Sequence, residues 1–211
     1  DFTNYPKTFE ADLDILEKTN CEIIFTPSVK EMYPRGANPE KTVLKYRDIL
    51  CDLSRPGHFD GVTTIVKILL DLIKPSRVFF GEKDYQQLKI IEQLILQNSL
   101  NIDLIKCPSV RDLNGMSLSS RYVNFSQNQQ LQFEECAKII NTQFKILKKI
   151  FNQETVKSIE YELKNFGISK IDYCEVRNEE NLSLSKINER SRLFIAFYLS
   201  KIRVIDNFIL Y

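Results

Sequence analysis

RVFFGEKDYQQLKIIEQLILQN, Arg77 to Asn98, sets an apolar run that ends at Gly81 against a second apolar pattern through Leu88, Ile91, Leu94 and Ile95, with Glu82, Lys83 and Asp84 between them. A short run of branched and aromatic residues closed by glycine reads as a strand. Apolar residues three and four apart read as one face of a helix, here over Tyr85 to Asn98. Upstream, Val62, Ile65, Val66, Leu69, Leu70 and Ile73 share a helical face that Pro75 ends. Downstream, NIDLIKC (Asn101 to Cys107) reads as another strand. Helix, strand, helix, strand implies crossover connections and a parallel sheet, hence an α/β fold.

Further out the pattern continues at both ends. Phe9, Leu13 and Leu16 recur at helical spacing, with Thr8 placed to cap the first turn. CEIIF (Cys21 to Phe25) reads as a short buried strand, TPSVKEMYPRG as a loop with one helical turn at Val29 to Met32, and KTVLKY (Lys41 to Tyr46) as a further short strand. Beyond about Ser126 the character changes. Helices are expected near Gln130–Phe151 and Glu154–Asn165, then strands near Ile168–Val176, Arg192–Leu199 and Ile202–Leu210. That order suits an antiparallel sheet, so residues 1–125 form a parallel-sheet domain and 126–211 a smaller α+β domain.

Composition narrows the functional classes. The 211 residues carry 29 basic and 28 acidic side chains, so no overall field recruits nucleic acid or an anionic membrane. Five scattered cysteines without CxxC spacing argue against a disulfide framework or zinc knuckle and for a reducing, cytoplasmic compartment. Lys67, Asp71 and Lys74 interrupt the most apolar stretch, so no spanning helix is expected, and without a basic-then-apolar opening no leader is expected either. The motifs of P-loop ATPases, dinucleotide oxidoreductases, GxSxG esterases and HExxH zincins are all missing.

Three segments carry chemistry. In an open parallel sheet, ligands collect where the chain leaves the carboxyl ends of strands, and Gly81 to Asp84 lies there. Gly81 permits close backbone approach, Lys83 offers phosphate a point charge, and Asp84 can accept from paired hydroxyls such as those of ribose. The same residues also suit a plain strand-to-helix turn, with Asp84 as N-cap and Lys83 in solvent. The second segment, VRDLNGMSLSSRYVNFS (Val110 to Ser126), places a turn at Asn114-Gly115 and then Ser119, Ser120 and Arg121 side by side, a donor set for phosphate oxygens or a solvated loop. The third, LSRPGHFDG (Leu53 to Gly61), holds the single histidine, His58, which reads equally as a structural hydrogen-bonder or a site participant; no metal ligands are nominated.

Taken in order, FTPSVKEMYP, SRPGHFDGVTTIVKILLDLIKP, VFFGEKDYQQLKII, NGMSLSSRYVNFS and the closing RVIDN resemble the pantothenate synthetase (pantoate:beta-alanine ligase) family over nearly the whole chain. The resemblance implies a Rossmann-like sheet of the nucleotidyltransferase type and an ATP-dependent, two-step ligase. Pantoate would be adenylated with release of pyrophosphate, and beta-alanine would then displace AMP. By position, Gly81, Glu82, Lys83, Asp84 and Val110 correspond to the ATP site, Leu118 to Arg121 to its mobile phosphate loop, and Gln87 to the pantoate glutamine. Lys83, Ser119, Ser120 and Arg121 would carry the catalytic charge, with Arg55 and His58 as further candidates. Mg2+ with the nucleotide, a cytoplasmic homodimer, and no nucleic-acid or membrane partner are implied as well.

Departure from the family lies at the start. The family's opening strand, helix and HxGH motif have no counterpart, and DFTNYPKTFEADLDILEK resembles the segment immediately after them. The expectation is therefore a nucleotide-binding domain that lacks its first βα unit, a longer parent enzyme, and no activity from this segment alone. Another nucleotidyltransferase of the same fold, or a non-catalytic binding module, are the competing readings.

Overall fold

A computed structural model describes residues 8–39, 42–185 and 189–210. The fold-deciding stretch forms strand β1 (Arg77–Gly81), a single 3-10 turn over Glu82–Asp84, and helix α5 (Tyr85–Gln97). Strand β2 (Asp103–Cys107) lies parallel to β1, with Arg77 opposite Asp103 and Gly81 opposite Cys107. The crossover α5 covers one face of this pair. Its stripe of Ile90, Ile91, Leu94 and Ile95 closes a core with Phe59 and Leu70 of helix α4 (His58–Ile73). Each such fully buried aliphatic or aromatic side chain contributes about 1.5–3 kcal/mol relative to exposure. α4 ends where expected: Lys74 takes a left-handed conformation (φ 48) just before Pro75.

Two expected strands are absent. Cys21 to Phe25 forms no strand, and its side chains face solvent, Ile23 being 83 % exposed. An apolar run needs a neighbouring ladder to become a strand, and none lies beside it among the described residues. Thr42 to Tyr46 is likewise irregular, although Val43 is fully buried against the α4–α5 core; Lys41 lies outside the described residues. Helix α1 (Phe9–Leu16) forms, but the Thr8 hydroxyl points at the Asp12 carboxylate, 3.2 Å away, and caps no amide. Helix α2 (Val29–Met32) is the single predicted turn, with Ser28 and Glu31 in a reciprocal capping box. Helix α3 (Leu50–Ser54) then leads into α4.

The other half is built from helices α6 (Gln127–Lys149) and α7 (Gln153–Asn165) on an antiparallel sheet of strands β3 (Ile171–Asn178), β4 (Ser191–Leu199) and β5 (Ile202–Ile209), ordered β3-β4-β5. α6 begins three residues earlier than its apolar spacing suggests, because Ser126 and Gln129 form a capping box. Phe133, Ile140, Leu147, Ile159 and Leu163 of the helices meet Leu193, Ile195 and Phe197 of the central strand in one core. Met116, from the loop after β2, is fully buried in that core. A third cluster of Leu50, Tyr85, Leu182 and Phe194 packs the two halves together beneath the Glu82–Asp84 turn. No helix among the described residues is long and apolar enough to cross a membrane.

Candidate functional site

The two segments singled out after β1 and β2 meet. Lys83 reaches across and donates from Nζ to the Leu118 carbonyl at 3.1 Å, with the Tyr122 ring centroid 5.6 Å away. Burial holds the Lys83 ammonium below the usual lysine value; Asp84 and Asp206 oppose that shift, and Arg121 adds to it by like-charge repulsion. Two cations held close enough to repel, in a half-buried position, make a local field favourable to an anion in a chain whose overall charge balances.

Each segment is fixed by its own geometry. After β2, Arg111 and Ser117 form an isolated antiparallel bridge, and the Asp112 amide donates to the Met116 carbonyl at 2.8 Å. Gly115 closes this loop at φ 79, where a Cβ would stand 3.1 Å from the Asn141 side chain, so the predicted Asn-Gly turn needs glycine for both conformation and space. Buried Met116 and a 2.6 Å bond from Asn141 to the Asn114 carbonyl tie the loop to α6. Val110 accepts the Leu118 amide through its carbonyl at 2.9 Å while its side chain is exposed. From Ser119 a 3-10 turn over Ser120–Asn124 begins, the Ser119 hydroxyl accepting the Arg121 amide at 3.3 Å.

Gly81 and Asp84 are exposed at the mouth of the site, and Asp84 occupies the N-cap position of α5 without bonding an amide there. Gly81 has an ordinary extended backbone (φ -70), and a Cβ on it would meet nothing within 4 Å. Neither strain nor internal packing calls for glycine at that point. Glu82 turns away: its carboxylate pairs with Arg192 of β4 at 3.2 Å. Of the adjacent amides, Gln86 is buried and spends its side chain on the backbones of Tyr46, Ile49 and Cys51, whereas Gln87 lines a cavity with Lys83 and Asp84.

Arg55 and His58 line that same cavity. Their chain is anchored by Arg47, which pairs with Asp52 at 3.0 Å and Asp60 at 2.7 Å. Arg55 Nη1 lies 2.8 Å from His58 Nε2, and since a guanidinium only donates, Nε2 is the accepting, unprotonated nitrogen. Burial first, then the charges of Arg55, Arg203 and Arg121, push His58 down to about 4. The imidazole is therefore neutral at pH 7. Between about 6.5 and 4 the unfolded chain binds a proton that the native chain refuses, so stability declines as pH falls through that window. His58, the single histidine of this sequence, should give an NMR titration midpoint near 4; a midpoint at 6 or above would contradict the burial and the Arg55 contact.

The closing RVIDN, matched as a motif but given no role from sequence, lies at the site. Asp206 and Asn207 of β5 hold the loops from below, Asp206 taking the Ser117 amide at 2.8 Å and Asn207 donating to the Glu82 and Lys83 carbonyls. Arg203 bonds Asp172 at 2.8 Å and Ser54 at 3.1 Å beside a 3.1 Å contact between Cys51 and Tyr173, two residues that line the cavity. The readable signal was a polar pair inside the apolar strand VIDNF, since buried polar groups require partners. Among the described residues no group of three or more His, Cys, Asp or Glu side chains is arranged to hold a metal ion.

The family model described as pantoate-beta-alanine ligase matches residues 1–209. A pantothenate synthetase of Caldicellulosiruptor bescii is 35% identical over 214 residues, covering 99% of this chain and 75% of that protein. The crystal structure of pantothenate synthetase from Thermus thermophilus superimposes with a TM-score of 0.91 at 29% identity, over 100% of this chain and 78% of its own. That of pantoate-beta-alanine ligase from Francisella tularensis, complexed with beta-gamma ATP and beta-alanine, gives 0.83 at 32% identity, over 100% and 73%.

Proposed function

Because this chain belongs to the pantoate-beta-alanine ligase family, whose members join pantoate to beta-alanine through a C–N bond, we propose that its ATP site lies where Lys83 meets the loop ending in Ser119, Ser120 and Arg121. One observation carries the assignment: the Lys83 ammonium sits 3.1 Å from the Leu118 carbonyl, so two chain segments that leave neighbouring parallel strands converge on one point. In the first step a pantoate carboxylate oxygen attacks the α-phosphorus of ATP, the α–β bridging P–O bond breaks, and pyrophosphate departs with its electron pair. In the second, the beta-alanine amine attacks the acyl carbon and loses a proton, the C–O bond to phosphate breaks, and AMP leaves.

The chain's own task in the first step is electrostatic. Negative charge grows on the departing pyrophosphate, and fixed donors aimed there stabilise the transition state more than the ground state. Lys83 supplies an ammonium whose bond to a backbone carbonyl is easily exchanged for one to phosphate, and Arg121 with the two serines approaches from the facing loop. The open space over Gly81 suits a nucleotide pressed against the backbone, with Asp84 accepting from ribose hydroxyls and Val110 on the nucleotide's far side. Gln87 orients pantoate. Neutral His58 and Arg55 lie beside it, where the guanidinium suits the pantoate carboxylate. The second step asks mainly that the two reactants be held together. Mg2+ would be held chiefly by the nucleotide's phosphates and water and would offset the phosphate charge, since no group of described acidic, histidine or cysteine side chains is arranged to hold it.

Pantoate-dependent exchange of labelled pyrophosphate into ATP by the full-length protein tests the first step, and its absence with every carboxylic acid tried would reject the assignment. Gln87→Leu should raise the KM for pantoate by about tenfold, the value of one or two hydrogen bonds, and leave that for ATP within twofold. An equal rise in both would move Gln87 off the pantoate site. The reading extends to a cytoplasmic homodimer. The five cysteines are unpaired with one another, as a reducing compartment keeps them, and sedimentation equilibrium tests the dimer.

A further inference from the structure

Two side chains on β5 that take no part in the steps above touch both loops that do. Asn207 Nδ2 donates to the carbonyls of Glu82 at 2.8 Å and Lys83 at 3.0 Å, and its Oδ1 accepts from Arg192 Nη1 at 2.8 Å. Asp206 accepts from the Ser117 amide at 2.8 Å, the Ser117 hydroxyl at 2.6 Å and Arg111 Nη1 at 3.0 Å. Arg111 in turn donates to the Asn207 carbonyl at 2.7 Å and to the Gly115 carbonyl at 2.8 Å. Both residues are almost wholly buried, at 3% and 2% exposure. Successive strand residues point to opposite sides, so a single dipeptide can grip two segments that are distant in sequence.

With the Asn207 backbone amide, which donates to Asp206 Oδ1 at 2.7 Å, these partners take both Asn207 side-chain amide hydrogens and engage both oxygens of the Asp206 carboxylate, so the two side chains are committed to holding their neighbours. What they fix is a separation. Asn207 holds the carbonyl of Lys83 itself, Asp206 holds the residue just before Leu118, and Leu118 is where the Lys83 ammonium rests. We propose that Asp206 and Asn207 are positioning residues that set the gap between Lys83 and the Ser119–Arg121 turn. The strand of the antiparallel half thereby keeps the triphosphate-binding groups at the spacing that adenylation needs. This rests on the reading of Lys83 as a phosphate group. Displacement of such a group by about 1 Å is enough to lower a rate about 10²-fold.

The test uses the full-length protein with Asn207→Ala, Lys83→Ala, the double variant, and Asp206→Asn, whose side chain keeps its shape. Two rates are read: pantoate-dependent pyrophosphate exchange, and aminolysis of supplied pantoyl adenylate by beta-alanine without ATP. Asn207→Ala should lower the exchange kcat by at least tenfold and up to about 10²-fold, with aminolysis within twofold. Added to Lys83→Ala it should cost nothing more, because its effect passes through Lys83. Equal losses in both half-reactions, or independent losses in the double variant, would overturn the proposal and leave Asn207 a purely structural residue. Should Asn207→Ala fail to fold, Asp206→Asn decides: exchange falling at least tenfold with aminolysis intact supports the inference, and unchanged exchange rejects it. Wild-type exchange by Lys83→Ala would reject the underlying phosphate reading as well, and that single variant shows it without reference to β5.

Discussion

Replacing Lys83 with alanine is expected to lower pantoate-dependent pyrophosphate exchange by about 10²–10³-fold while leaving the fold unharmed. The asymmetry follows from what the side chain touches. Its ammonium makes one bond to the Leu118 carbonyl and lies 5.6 Å from the Tyr122 ring, and it forms no salt bridge at contact distance among the described residues. Burial and Arg121 both disfavour its charge, so the protein holds the ammonium there at some cost to itself. Alanine removes that cost along with one exposed hydrogen bond, and the unfolding free energy should change by less than about 1 kcal/mol. Lys83→Arg should not restore the rate, since a planar fork cannot occupy the place of a compact point charge. Stopped-flow measurement of adenylate formation beside urea unfolding separates the two effects. Exchange within threefold of wild type would take Lys83 out of the phosphate site, and a large loss of stability would make its role one of packing.

Local chemistry explains which features could be read in advance. β1, α5 and β2 announce themselves because a short apolar run and then a 3.6-residue period fit one short stretch, and Gly81 with three charged residues marks the junction. The Asn114-Gly115 turn is legible because positive φ strongly favours glycine. Cys21 to Phe25 has the composition of a strand yet stands exposed. Strand formation depends on a neighbour's backbone, and composition says nothing about whether one is alongside. The start of α6 was recoverable from Ser126 and Gln129, but the apolar stripe sets in later and masks the cap. At the proposed site, Lys83 and Arg121 stand out in the sequence by residue type and place, whereas the side-chain partners of Glu82 and Gln86 lie far along the chain. Glu82 faces Arg192, and Gln86 serves three backbone groups of residues 46–51. In space the Glu82 carboxylate lies at the joint between the two halves, paired with Arg192.

That joint supports the second large effect, at Arg192. Its guanidinium is buried over the Tyr85 ring, 4.0 Å from the centroid, and bonds Glu179 at 2.7 Å, Glu82 at 3.2 Å and Asn207 at 2.8 Å. Arg192→Met keeps much of the apolar contact with Tyr85 but leaves two largely buried carboxylates facing each other. Breaking a buried pair in this way costs about 3–5 kcal/mol, because the abandoned charge stays desolvated. The lower end is expected here, since Arg190 still reaches Glu179 at 3.1 Å from the solvent side. Adding Glu179→Gln removes one of the two stranded charges and should recover a substantial part of the loss, a coupling that urea unfolding of the four proteins in the cycle measures directly. Pyrophosphate exchange should fall in Arg192→Met even below the denaturation range, because Asn207 loses the donor that orients its amide toward the Lys83 carbonyl. A stability loss under about 1 kcal/mol, or additive effects of Arg192→Met and Glu179→Gln, would show that the Arg192 ion pairs contribute little to holding the two halves together.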